Sequence, residues 1–182
     1  MGIKNTLARH IYEFFYKHFE FDRVVERKIK KSISIWHRGG WLNRTYAKYL
    51  WSKIRRKYNT DYYPGITVGK NLRIEHPMWT CIGKTTVIGD NVRIYNNVLI
   101  VAKLTGDEER LRTKERRHAK IGNNVILGSG STIIGPVSIG NNCIIGARAI
   151  VTKDIPDNSV VIGINQVRAK RKGEGAPPYI KF

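Results

Sequence analysis

Residues 121–156 read IGNNVILGSGSTIIGPVSIGNNCIIGARAIVTKDIP, and their spacing indicates the fold. They carry an aliphatic residue at every sixth position, namely Ile121, Leu127, Ile133, Ile139, Ile145 and Val151. A helix repeats every 3.6 residues and a strand every two, so neither period sustains this series. A period of six residues is the signature of a β-helix, in which short strands stack from one coil to the next.

The same frame extends toward the N-terminus. Val68 and Ile74 are six residues apart, and after a step of eight residues the series resumes at Ile82, Ile88, Ile94 and Ile100. Gly follows most of these aliphatic residues and Asn pairs stand beside the expected corners, where both tolerate the left-handed backbone that a sharp corner needs. Three six-residue units make one coil, so the two series predict about four coils of a mainly β fold.

Three other segments depart from the repeat, which we place at residues 61–165. Residues 1–60 hold 15 Lys or Arg against 4 Asp or Glu and predict a basic amphipathic helical extension, with Gly39-Gly40 separating two helices. Residues 103–117 are densely charged and predict a loop ejected from the β-helix. Residues 166–182 read as a basic C-terminal tail.

The net charge of +19 predicts an anionic partner: nucleic acid, anionic lipid or a polyphosphate ligand. The composition does not choose among them. No apolar run approaches the roughly 20 residues that span a bilayer. Cys81 and Cys143 form no disulfide framework and no zinc pattern. We therefore expect a cytoplasmic protein whose extension packs on the β-helix or lies on the inner face of the cell membrane.

Two of the five histidines stand at the irregular places of the repeat. His76 lies in the expanded unit after Ile74, and His118 lies where the charged loop returns. His10, His18 and His37 fall in the helical extension, where surface or packing roles are the simplest interpretation. Because an imidazole titrates near neutrality, His76 and His118 are the candidates for proton transfer.

The run DYYPGITVGKNLRIEH, residues 61–76, resembles the serine acetyltransferase branch of the hexapeptide-repeat acyltransferase superfamily. The expanded unit and the pair Arg117-His118 fit that branch, and the resemblance covers roughly residues 60–165. It implies a left-handed parallel β-helix and a homotrimer with active sites between adjacent prisms. It also implies acetyl-coenzyme A as the acetyl donor and no metal.

The resemblance also implies a role for each matching residue. His76 is expected to act as general base, with Asp61 holding the other ring nitrogen. Glu75 and His118 are expected to line the acceptor pocket from across the subunit interface, and Arg117 matches an arginine that grips a carboxylate. The donor is expected to contact Ser129, Gly130, Ala147, Thr152 and Lys153.

Three classes of function follow. We predict an O-acetyltransferase acting on a saccharide hydroxyl in capsule, exopolysaccharide or O-antigen assembly, because the basic extension and the long loop differ from the serine enzymes. A serine O-acetyltransferase of cysteine biosynthesis is the alternative, and Arg117 favours it. A non-enzymatic trimeric scaffold or a zinc hydratase of the same fold forms the second class, but the hydratase needs three converging histidines. A nucleic-acid binder is the third class, and without a recognition motif we expect no nucleic-acid partner.

Overall fold

The computed structural model describes residues 22–103 and 116–169. Helix α1 occupies residues 22–37, and helix α2 spans Trp41–Tyr58. The predicted helix before residue 22, most of the charged loop and the tail from residue 170 lie outside the described residues.

The two helices meet at the predicted glycine break. Gly39 and Gly40 have φ of 74° and 75°, a conformation that costs glycine nothing, and Asn59 ends α2 in the left-handed region at φ 48°. Helix α2 buries Ala47, Ile54 and Tyr58 on one side. Within the described residues, neither helix combines the length and the apolar character needed to cross a membrane.

After the helices, the described part of the chain forms fifteen strands of two to four residues. They are β1 Asp61–Tyr62, β2 Thr67–Val68, β3 Arg73–Ile74, β4 Cys81–Ile82, β5 Val87–Ile88, β6 Arg93–Ile94, β7 Leu99–Val101, β8 Lys120–Ile121, β9 Ile126–Leu127, β10 Thr132–Ile134, β11 Ser138–Ile139, β12 Ile144–Ile145, β13 Ile150–Val151, β14 Ser159–Ile162 and β15 Gln166–Ala169.

The strands form three sheets that are the faces of a prism. The five-stranded sheet has the order β1-β4-β7-β10-β13, the four-stranded sheet β11-β8-β5-β2 and the six-stranded sheet β15-β14-β12-β9-β6-β3. Apart from β14 and β15, neighbouring strands are parallel. The predicted frame sets the register, since Ile82 pairs with Ile100 and Ile94 with Leu127.

The six-residue frame lines the interior of the prism. Eleven of its twelve aliphatic positions are at most 3% exposed, and only Val68 in the first coil is partly exposed. Burying each such side chain contributes about 1.5–3 kcal/mol, so the stacked column supplies most of the core. Cys143 is fully buried, with Sγ 3.2 Å from the Pro156 carbonyl oxygen, which fits a packing role.

The C-terminal end of the prism is a hairpin. Strand β15 pairs antiparallel with β14 and begins at Gln166, the residue at which we expected the tail to start. The first four residues of that segment therefore extend the six-stranded sheet.

Asparagine occupies most of the left-handed corners. Among the described residues, eleven non-glycine residues have positive φ and eight of them are Asn. At the edge between the four- and six-stranded sheets their amides form a ladder with 2.9–3.1 Å bonds, running through Asn71, Asn91, Asn124, Asn142 and Asn158. The three exceptions are His76, Trp79 and Arg148.

Candidate active site

His76 stands on an outer corner of the prism, in the turn between β3 and β4. Its backbone is left-handed, with φ 51°, and its side chain is 66% exposed. The ring atom Nδ1 lies 2.9 Å from Oδ2 of Asp22, a largely buried carboxylate on α1. A carboxylate oxygen on Nδ1 favours the tautomer with hydrogen on Nδ1, which leaves the lone pair of Nε2 open.

Helix α1 brings Asp22 to His76 because Glu26, one turn later, fastens the helix to β3. Oε2 of Glu26 accepts the Ile74 N–H at 3.3 Å and lies 3.7 Å from Nε of Arg73. Asp22 and Glu26 are the only acidic residues among residues 22–37, and four residues apart they share one helix face. The pair marks one acidic face on an otherwise basic helix, but its spacing does not indicate that this face meets His76.

Asp61 has other partners than the ring that we expected it to hold. Its Oδ1 accepts a hydrogen bond from Nε1 of Trp51 at 3.1 Å, and its Oδ2 lies 3.5 Å from Nε of Arg55. Both partners belong to α2, so Asp61 ties that helix to β1. The carboxylate that meets Nδ1 of His76 in this structure is that of Asp22, and the expected contact between Asp61 and His76 is not seen within one chain.

Glu75 lies on the outer face of the six-stranded sheet. Its Oε1 is 3.6 Å from Nη2 of Arg73 and 3.7 Å from Nη1 of Arg93, two arginines in register on neighbouring strands. Within one chain Glu75 is thus paired with arginines and not with His118. The expected contact between Glu75 and His118 was placed across a subunit interface and remains a prediction.

His118 is fixed by Thr85, a residue that the sequence analysis did not single out. The Thr85 hydroxyl lies 2.8 Å from Nδ1 of His118, and the Thr85 N–H donates to the same nitrogen at 3.3 Å. The Thr85 oxygen also accepts the backbone N–H groups of Arg117 and His118, at 2.9 and 3.1 Å. Because a backbone N–H can only donate, Nδ1 is the acceptor and the neutral ring carries its hydrogen on Nε2.

Gly83 makes the room for this ring. A Cβ atom at Gly83 would lie 1.9 Å from Cδ2 and 2.0 Å from Nε2 of His118, so a side chain there would collide with the imidazole. Partial burial lowers the pKa of His118 below 6.5, and the positive charge of Arg117 lowers it further. His118 is therefore built to be neutral near pH 7, with Nε2–H as a donor.

The two histidines lie at opposite edges of the five-stranded sheet. His76 precedes β4, whereas His118 packs on the turn that follows it. We call the edge formed by residues 75–80, 95–98, 128–131 and 146–149 the His76 edge. The edge formed by residues 83–86, 116–119, 135–137 and 152–154 is the His118 edge. A whole sheet face separates the two edges within one chain.

The residues expected to bind the donor divide between these edges. Ser129, Gly130 and Ala147 lie on the His76 edge, two and three coils beyond His76, or about 10 and 14 Å along the axis at the usual strand spacing. The Ser129 hydroxyl donates to Oδ1 of Asn96 at 2.8 Å, so part of its hydrogen-bonding capacity is used within the chain. The small side chains here leave room for a slender ligand lying along the prism.

Thr152 and Lys153 lie on the His118 edge, away from the other three. Thr152 exchanges two hydrogen bonds with Asn165, its N–H donating at 2.9 Å and its hydroxyl accepting at 2.7 Å, while Lys153 is exposed. Within one chain these two residues therefore lie across the five-stranded sheet from Ser129, Gly130 and Ala147.

Two further features bear on the site. Residues 22–103 and 116–169 contain no group of three His, Cys, Asp or Glu side chains placed to hold a metal. A groove of about 630 Å³ lies on the outer face of the four-stranded sheet, and none of the expected site residues lines it.

Solved structures with the same fold include serine acetyltransferases. Soybean serine acetyltransferase matches with a TM-score of 0.66 and 30% identity, over 79% of this chain and 55% of that one. Isoform 3 from Entamoeba histolytica, in complex with cysteine, matches with a TM-score of 0.64 and 25% identity, over 81% of this chain and 48% of that one. The predicted mainly β fold, a left-handed parallel β-helix with a helical extension, is confirmed.

Sequence relatives carry the same name. Serine acetyltransferase of Staphylococcus epidermidis is 38% identical over 133 residues, which are 72% of this chain and 59% of the relative. Serine acetyltransferase of Staphylococcus aureus is 38% identical over 123 residues, 67% of this chain and 54% of the relative. The chain thus spans little more than half the length of these relatives.

The family model described as bacterial transferase hexapeptide (six repeats) matches residues 118–153, a range that contains the whole second aliphatic series. The repeat, the prism and the relatives agree. The chain belongs to the hexapeptide-repeat acyltransferase superfamily, on its serine acetyltransferase-like branch.

Proposed function

We propose that this protein is an O-acetyltransferase that moves an acetyl group from acetyl-coenzyme A to the hydroxyl of serine. The observation that carries the proposal is the 38% identity to staphylococcal serine acetyltransferases over about 70% of the chain. A soybean serine acetyltransferase that is 30% identical has been solved in complex with serine, which supports the same acceptor.

The acceptor that we predicted from the sequence, a saccharide in cell-surface polysaccharide assembly, is wrong, because the relatives and solved structures are serine acetyltransferases. That prediction rested on the basic extension and the charged loop. The extension carries Asp22 to His76, which serves any hydroxyl acceptor equally. Residues 104–115 of the loop lie outside the described residues.

His76 is proposed as the general base. With Nδ1 bonded to Asp22, its open Nε2 can take the proton of the attacking hydroxyl, and the carboxylate stabilises the imidazolium that results. General-base catalysis of this kind contributes about 10²- to 10⁴-fold to the rate. Asp61 acts in this scheme only indirectly, by holding α2 against β1.

The complete site is proposed to form between two chains of a homotrimer. His76 supplies the base from one edge, and the His118 edge of a neighbour supplies Nε2–H and the Arg117 guanidinium. A neutral Nε2–H suits an oxygen that gains negative charge, and a guanidinium suits the serine carboxylate. Such pairing would also bring the two groups of donor residues together along one cleft.

The test is an acceptor screen with thioester loss as the readout. We expect turnover of acetyl-coenzyme A with L-serine and little with homoserine, nucleotide sugars or oligosaccharides. His76→Ala should lower turnover by about 100-fold or more. His37→Ala is the control and should retain turnover, because the Nε2 atom of His37 lies 2.9 Å from the Ile66 carbonyl oxygen and has no role in the proposed site. Absence of turnover with serine, or a fully active His76→Ala variant, refutes the proposal.

The assembly has its own test. Sedimentation should give the mass of three 20.9 kDa chains. Mixing His76→Ala with His118→Ala chains should restore activity if each site takes one histidine from each of two neighbours. A fully active monomer, or mixed assemblies no more active than either parent, would contradict the two-chain site.

A further inference from the structure

The outer face of α2 exposes large apolar side chains. Trp41 is 74% exposed, Leu42 65%, and Tyr46 and Tyr49 each 49%. At 100° per residue these four fall within an arc of about 140°, opposite the side that packs on the β-helix. An apolar surface of this kind on a helix marks a contact site.

The same helix is strongly basic. Trp41–Tyr58 contains six Lys or Arg and no acidic residue. Lys53 and Arg56 project from the same arc as the aromatic residues and are exposed, and Nζ of Lys53 lies 4.8 Å from the centre of the Tyr49 ring. The face therefore combines positive charge with aromatic and aliphatic groups, and any partner must be both anionic and apolar.

We propose that the outer face of α2 lies on the surface of an anionic lipid bilayer. Tyr and Trp rings and a Leu side chain enter the boundary between head groups and acyl chains, while Lys and Arg meet the phosphates. A nucleic acid would satisfy the charge but would leave Leu42 in water. Bilayer binding is therefore the better match to this face.

The position of α2 keeps this contact apart from the proposed catalytic groups. Helix α2 packs on β1 at the first coil, where Trp51 and Arg55 contact Asp61 from its inner side. The outer face points away from that contact. The proposal goes beyond serine acetylation and does not depend on it, since binding to vesicles needs no thioester and no acceptor.

The test is sedimentation of the full chain with vesicles of phosphatidylcholine alone or with 30% phosphatidylglycerol. We expect binding only to the anionic vesicles, weakened when NaCl is raised from 0.1 to 0.5 M. Leu42→Ser/Tyr49→Ser should weaken it about tenfold or more. The matched control Ile164→Ser/Ile162→Ser changes side chains of nearly equal exposure, 66% and 49%, at the far end of the prism, and should bind as wild type.

A second pair of variants separates local charge from net charge. Lys53→Glu/Arg56→Glu should abolish binding, whereas Lys70→Glu/Lys120→Glu, with the same change in net charge at two exposed residues outside the His76 and His118 edges, should retain it. Equal binding to neutral vesicles, or equal loss in both charge variants, overturns the proposal. If Leu42→Ser/Tyr49→Ser instead changes the oligomeric mass without vesicles, the face is a contact between copies of the chain and the proposal also fails.

Discussion

The substitution Gly83→Ala is the most direct test of how the His118 ring is packed. The new Cβ would lie 1.9 Å from Cδ2 of the ring, and ordinary carbon contacts begin near 3.5 Å, so the imidazole must move by about 1.6 Å. A shift of that size breaks its two bonds to Thr85, which measure 2.8 and 3.3 Å. Both the packing and the tautomer of His118 are therefore lost together.

The magnitude follows from three contributions. Overpacking costs about 1–3 kcal/mol. Two lost hydrogen bonds cost about 1 kcal/mol each. Replacing Gly by Ala returns about 0.4–1 kcal/mol through the unfolded chain, because Gly83 does not lie in the left-handed region. We expect the free energy of unfolding to fall by about 2–4 kcal/mol in all.

The assay is urea denaturation followed by circular dichroism at one fixed protein concentration, since assembly shifts apparent stability. His118→Ala removes the atoms that collide with the new Cβ, so adding Gly83→Ala to it should cost little. The double-mutant cycle should then show a coupling of about 1–3 kcal/mol between the two positions. Gly83→Ala as stable as wild type, or equally costly with and without His118, would refute the reasoning.

Three further predictions concern the histidines and their partners. Asp22→Asn should lower kcat by about 10- to 100-fold with little change in KM, because the ring loses its anionic partner, whereas Asp90→Asn, at the edge between the four- and six-stranded sheets, should leave kcat unchanged. His76→Asn should lower acetyl transfer by about 100-fold or more yet keep the free energy of unfolding within about 1 kcal/mol, because Asn tolerates the left-handed corner. The lowered pKa of His118 means that the folded protein favours the neutral ring. The stabilisation that neutral His118 gives the folded protein is therefore present above pH 6.5 and lost as the pH falls below that value. In denaturation experiments from pH 7 to 5, His118→Asn should reduce the fall in the free energy of unfolding.

The fold was predictable from the sequence because every coil needs aliphatic residues at the same positions. Every sixth side chain must fill a narrow interior, so the six-residue spacing predicts that Ile88 and Ile121 are buried. The same spacing predicts that they pair on neighbouring strands, as they do. The edges were also within reach. Ser129 follows the second aliphatic residue of its series and Thr152 the sixth, and counting in threes assigns them to different edges. Counting the repeat units therefore predicts two different edges for Ser129 and Thr152, whereas the resemblance had grouped them in one donor site.

The partner of His76 was beyond that kind of counting. Asp22 lies 54 residues before it, on a helix whose register depends on one carboxylate, Glu26, meeting the Ile74 N–H. No period links a helix to the corner that it touches. Thr85 was missed for a related reason, since a threonine at a corner is unremarkable until the returning loop lays His118 beside it.

The corners themselves mark the candidate site without any resemblance. At the edge between the four- and six-stranded sheets, every left-handed non-glycine corner that the structure describes is an Asn in the ladder. Three left-handed corners are occupied by residues other than Gly or Asn, namely His76, Trp79 and Arg148, and all three lie on the His76 edge. A bulky residue held in this conformation costs on the order of 1–3 kcal/mol, which packing alone does not require because Asn97 occupies the same edge one coil away. Backbone strain of this kind occurs on the His76 edge, whereas the edge with the Asn ladder avoids it. This difference indicates that the residue types on the His76 edge are determined by what that edge must contact.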